Sequence, residues 1–116
     1  MCKTDAIKTL LTEAYLFAKQ AFQRCFDDLG SGKPADKTSA LALAAMCVSR
    51  YTDAASIYLL NPDIEDNAIP ELLRQFHRVT NEVWNVYQSS KNNNTALFIE
   101  FDYLKELLIN NGYPVK

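Results

Sequence analysis

The side chains in this sequence that can do chemistry are few and mostly scattered. His77 is the only histidine, with Arg74 before it and Arg78 directly after. An imidazole flanked by two guanidinium groups could act as a base in proton transfer. Glu100, Asp102 and Glu106 lie close together near the C-terminal end. Helical di-metal sites pair such carboxylates with Glu-x-x-His elements, and a single histidine cannot supply the set, so no metal site is assigned. Cys2, Cys25 and Cys47 are three cysteines at wide spacings, which gives neither a disulfide framework nor a Cys-x-x-Cys metal knuckle. Cys25 and Cys47 fall among apolar residues at helical spacing, where a free thiol packs as a small hydrophobe.

Two stretches resemble known motifs. An arginine shortly before a histidine resembles the HEPN domains, all-helical ribonucleases that work as dimers. In that class the interval is longer than the one separating Arg74 from His77, so no catalytic roles are carried over. What the resemblance implies is an alternative, a dimeric helical ribonuclease drawing on Arg74, His77 and Arg78. Gly30-Ser31-Gly32-Lys33 looks like the end of a phosphate-binding P-loop. That motif needs a preceding strand, an upstream glycine and Ser or Thr after the lysine. Pro34 stands there instead, and the stretch reads as a linker.

The totals narrow the field. At 116 residues the chain has the size of one domain, residues 1–116, large enough to bury a core without covalent staples. A net charge of −2 lacks the basic excess that nucleic-acid affinity draws on. The most apolar run, Ala40 to Leu60, contains Arg50 and Asp53. Each charge would cost roughly 2.5–3.5 kcal/mol at the centre of a bilayer, so a membrane span is not expected. Met1 to Ile7 is charged and has no leader-like apolar run. Unpaired cysteines fit a reducing, cytoplasmic setting.

Positioning any of these residues falls to helices. Only three glycines and four prolines interrupt the chain, which favours a few long elements. Ile7, Leu10, Leu11, Ala14, Phe17, Ala18, Ala21, Phe22 and Cys25 recur at three- and four-residue steps and predict a helix over about 5–29. Thr4 or Asp5 would cap it, and Gly30 would end it and open a loop to Asp36. A second helix, about 37–60 with Asp36 or Thr38 as cap, would bury Leu41, Ala44, Ala45, Val48, Tyr51, Ala55 and Tyr58 or Leu59. Ala42, Cys47 and Ala54 keep its remaining circumference small, marking it as the most enclosed element. Asn61-Pro62 stops it. A third helix, about 70–89, has Leu72, Phe76, Val79, Val83 and Tyr87 on one face, widened by Leu73, Trp84 and Val86. A polar loop at 91–94 leads to a fourth, about 95–111 and capped by Asn94 or Thr95. It packs Leu97, Phe98, Phe101, Leu104, Leu107 and Leu108 and stops at Asn111-Gly112. The run TALFIEF at 95–101 has strand character, but with no partner strand it is assigned to this helix. The expected fold is all-α, a four-helix up-and-down antiparallel bundle.

On the third helix, Arg74, Arg78, Asn81, Asn85 and Gln88 make one polar stripe. Leu73, His77, Thr80, Trp84 and Tyr87 make a mixed aromatic stripe beside it. Arginine and aromatics without lysine or glutamate is the bias of an interface core. The acidic residues Asp27, Asp28, Asp63, Glu65 and Asp66 read as solvated loop charge. These features predict a small non-enzymatic protein that works by protein–protein binding: an adaptor, an inhibitor or immunity protein, or a regulatory subunit. Its partner would be another protein, with self-association into a dimer also expected, and no cofactor, nucleic acid or membrane is implied. The candidate interface is Leu73, Arg74, His77, Arg78, Asn81, Trp84, Asn85, Tyr87 and Gln88. A second alternative is a small-ligand or nucleotide-binding bundle with Trp84 and Tyr87 lining a pocket.

Overall fold

Each of the four apolar-periodic stretches is a helix in a computed structural model of the chain. It describes the backbone of residues 3–31, 37–88 and 95–115, and the side chains of 3–25, 38–88 and 95–115. The helices are α1 (Lys3–Ser31), α2 (Lys37–Leu60), α3 (Ala68–Gln88) and α4 (Thr95–Asn110), and no strand occurs among the described residues. The TALFIEF run is therefore helical. Cys2, the loops at 32–36 and 91–94, Ser89 and the expected caps Asp36 and Asn94 lie outside the described residues.

Several boundaries differ from expectation for local reasons. Thr4, Asp5 and Thr38 lie inside first turns rather than before them. α1 continues through Gly30 to Ser31, so Asp27 and Asp28 belong to the helix and not to a loop. A glycine costs a helix interior only about 1 kcal/mol and does not by itself stop it. α3 begins before Pro70 because Asp66 caps it. The Asp66 carboxylate accepts from the Ala68 N–H at 3.0 Å and its carbonyl accepts from the Ile69 N–H at 3.2 Å. α2 stops at Leu60 as expected, and Asn61 donates its side-chain amide to the Ile57 carbonyl at 2.7 Å.

The C-terminal stop of α4 is a full Schellman arrangement. Gly112 has φ +80°, its N–H donates to the Ile109 carbonyl at 3.0 Å, and the Tyr113 N–H donates to the Leu108 carbonyl at 2.9 Å. Tyr113 then turns back against the core, and Lys8 of α1 stands 5.4 Å from its ring centre.

Cross-helix contacts fix the topology. Lys3 bonds Asn61, and Glu13 meets Arg50, so α1 and α2 run antiparallel. Tyr51 meets both Phe76 and His77, Gln75 meets Glu100 while Glu71 meets Tyr103, and Tyr15 meets Phe101 while Lys8 meets Tyr113. For α3 with α4 and for α1 with α4 the number rises on one helix as it falls on the other, which leaves α3 parallel to α1 and antiparallel to α2. The result is the expected up-and-down antiparallel bundle. α1 packs on all three other helices, whereas α2 and α4 make no contact among the described residues.

The core is unevenly filled. α1 contributes Ile7, Leu11, Tyr15 and a run of small residues, Ala14, Ala18, Ala21 and Cys25. α3 contributes Ile69, Leu72, Phe76, Val79, Val83 and Val86, and α4 contributes Leu97, Phe101, Leu104 and Leu108. Phe101 stacks between Tyr15 and Phe22, with ring centres 5.6 and 4.3 Å away. Phe98, expected in the core, is exposed at the edge of this cluster.

α2 corrects the sequence reading most. Its buried residues are Ala40, Ala44, Cys47 and Ala54, all small. Ala45, Val48 and Leu59, expected inside, are exposed, and Leu41, Tyr51, Ala55 and Tyr58 are half-buried. It is not the most enclosed helix; α3, with eight buried residues, is far better covered. The small face of α2 packs on the equally small-faced α1, the most extensive helix pairing in the molecule.

Two measurements check this packing. Gly112→Ala forces a left-handed alanine and should lower unfolding stability by about 1 kcal/mol in denaturant titration. No steric clash contributes, since the nearest atom to an added Cβ is Lys8 Nζ at 4.0 Å. Burial pushes the Cys47 thiol up to about 12, and burial followed by the nearby Asp66 charge pushes the Tyr113 phenol up to about 12. Both groups ionise earlier in the unfolded chain, at their ordinary values of 9.0 and 10.0. Stability is thus fully present below pH 9 and is lost as pH rises toward 12. In a Cys2→Ser background, thiol labelling at neutral pH should appear only at the unfolding transition, and rapid labelling of the native chain would contradict the packing.

Candidate functional site

A groove opens where α2 shows α3 its larger side chains. Because the buried face of α2 is the small one, Leu41, Ala45 and Val48 form a wall on the side toward α3. Ala44 and Tyr51 contribute from deeper in α2, and α3 supplies Thr80, His77, Asn81 and Trp84. The cavity is about 320 Å³, and its lining is mostly apolar. Trp84 is 47% exposed and does not close the core.

The groove continues along α3. A second depression of about 410 Å³ shares Tyr51 and His77 with the first and adds Leu73, Arg74 and Arg78. Six of the nine residues assigned from sequence, Leu73, Arg74, His77, Arg78, Asn81 and Trp84, therefore line one continuous surface. Asn85 and Gln88 are exposed but lie beyond it, and Tyr87 is half-buried against the core. Trp84 is among the described residues that line the groove and Tyr87 is not.

The α2 half of this surface was missed as a site because Leu41, Ala45 and Val48 carry the helical spacing of core residues. The signal available was the run of alanines with Cys47 on the neighbouring face, which can pack closer than a leucine stripe.

At the shared centre, Tyr51 stacks on Phe76 with ring centres 5.9 Å apart and its hydroxyl lies 3.5 Å from His77 Nδ1. Burial raises the Tyr51 phenol above its ordinary range, against a lowering by a hydrogen bond with Thr80. At neutral pH Tyr51 and Cys47 are thus a phenol and a thiol, able to pack or donate but not poised as anionic nucleophiles. Thr80 bonds the Phe76 and His77 carbonyls at 3.2 and 3.0 Å, which ties its hydroxyl to its own helix.

The carboxylates at the C-terminal end do not converge. Gln75, buried on α3, donates to the Glu100 carbonyl at 2.8 Å and to its carboxylate at 2.7 Å. Glu100 is thereby engaged in pinning α4 to α3, a role for a buried glutamine that the apolar pattern of α3 concealed. Among the described residues no group of three or more His, Cys, Asp or Glu side chains could hold a metal ion. No described helix is long and apolar enough to cross a membrane. Comparison with known proteins gives no match to any family model, to any curated protein or to any solved structure.

Proposed function

We propose that this protein is a non-enzymatic binding module whose α2–α3 groove receives a partner protein. The observation that carries the reading is Trp84, half-exposed at the lip of an apolar groove. An indole left in water forfeits burial worth a few kcal/mol, and such a residue is the usual anchor of a protein interface. The surroundings agree with it. Leu41, Val48, Tyr51, His77, Arg74 and Arg78 combine apolar walls with aromatic and arginine side chains, and among the described residues no lysine or carboxylate lines either depression. An adaptor, an inhibitor or a regulatory subunit would each use such a surface.

One observation favours a second reading. Arg74, His77 and Arg78 line a common depression, as a ribonuclease acting through them would require. If purified protein cleaves RNA and His77→Ala abolishes cleavage, the binding-only proposal is wrong.

The direct test immobilises the wild-type chain, Trp84→Ala and Ala45→Glu, and compares what each retains from its native cells by mass spectrometry. Both substitutions fall at exposed positions and should leave thermal unfolding within a few degrees of wild type. A specific partner should bind wild type and be lost from both variants, with Trp84→Ala weakening affinity by roughly 30-fold or more. Equal retention by all three chains would reject the groove as the binding site.

A further inference from the structure

Resting on that reading of the groove, we infer that the segment it receives is an amphipathic α-helix carrying carboxylates along the edge that faces Arg74 and Arg78. The argument for a helix comes from the groove walls. They are side chains of two helices whose backbone groups are bonded internally, so there is no sheet edge for a strand to join. An extended segment laid on this apolar floor would leave part of its own backbone unpaired and dry. A helix arrives with its backbone satisfied. The surface from Leu73 to Trp84 covers twelve residues of α3, a rise of roughly 16 Å, which is three turns of a docked helix. Ala44 and Ala45 keep the floor low, so a helix can approach at ordinary interhelical distance.

The argument for carboxylates comes from what borders the groove. Arg74 and Arg78 are exposed, and neither has an ion-pair partner among the described residues. The other nearby charges are engaged elsewhere or lie outside the lining of both depressions. Arg50 of α2 faces α1, with Glu13 at 3.0 Å and the Phe17 ring centre at 5.8 Å. Glu71 accepts from the Tyr103 hydroxyl of α4, and Glu82, one turn from Arg78 on α3, lines neither depression. Asp53 stands across α2 from Tyr51 by the same periodicity. The groove therefore presents an apolar trough with positive charge along one border. A second copy docking by this same face would set arginines against arginines across a lining that holds no carboxylate among the described residues, so charge complementarity selects a different, acidic partner.

The experiment uses three synthetic peptides of about 18 residues, long enough to form a helix when bound. One has a Leu/Ala ridge flanked by Glu, the second has the same ridge flanked by Lys, and the third is the Glu peptide with two central prolines. Trp84, the only tryptophan, reports binding by its emission. The Glu peptide should saturate the response at least about tenfold more tightly than the Lys peptide, weaken as salt rises, and lose its advantage to the Lys peptide in an Arg74→Glu, Arg78→Glu chain. The proline peptide should not bind. Equal or tighter binding of the Lys peptide overturns the charge assignment, and binding of the proline peptide overturns the helix. In either case the groove itself still stands if Ala45→Glu blocks binding. Failure of all three peptides rejects the inference, whereas the groove as a protein site is judged separately by partner loss from Trp84→Ala.

Discussion

How closely α1 and α2 can lie against each other depends on four small side chains. Ala40, Ala44, Cys47 and Ala54 are what α2 offers to the interior, and α1 answers with Ala14, Ala18, Ala21 and Cys25. Small faces permit close helix approach along most of the two longest elements, but they bury little apolar area per residue. The bulk of the hydrophobic stabilisation must then come from α1, α3 and α4, where Tyr15, Leu72, Phe76, Phe101 and Leu104 are packed. α2 leans on α1 and α3 and makes no contact with α4 among the described residues.

That asymmetry has a direct consequence for the surface. Placing the small face inward sends the larger side chains of α2 outward, so Met46, Val48, Leu59 and Leu60 are exposed, the last two at 76% and 80%. On the side toward α3 this produces a groove rather than a scatter of apolar residues, because Trp84 and His77 rise along the facing helix opposite Tyr51 of α2. The same constraint that lets two helices pack tightly leaves the trough between two others open. Tyr51, whose phenol burial raises above its ordinary range, gives the centre of that trough a packing character.

Much of the bundle was legible in the sequence. The period of apolar residues located all four helices, and Asn61-Pro62 and Asn111-Gly112 marked two of their ends correctly. Gly30 misled because a glycine permits a helix end without compelling one, and Asp66 was read as solvated charge although its carboxylate caps α3. The rotation of α2 was not legible. Leucine, valine and alanine are all apolar, so periodicity alone cannot tell a stripe of Leu41, Ala45 and Val48 from one of Ala40, Ala44 and Cys47. The choice is made by the facing helix, whose own small residues accept the second stripe. The polar stripe of α3 was legible and is exposed from Arg74 to Gln88, but which part of it borders a groove depended on that same rotation of α2.

The rotation can be measured with two alanines of one helix. Ala54 is fully buried and Ala45 is exposed, although sequence spacing alone would place Ala45 inside and Ala54 at the margin. Ala54→Leu and Ala45→Leu should be compared by denaturant unfolding under identical conditions. With the small face of α2 turned to α1, Ala54→Leu overpacks the core and loses about 1–3 kcal/mol, while Ala45→Leu stays within about 0.5 kcal/mol of wild type. The opposite ranking would put the larger stripe inside, close the groove, and contradict the account.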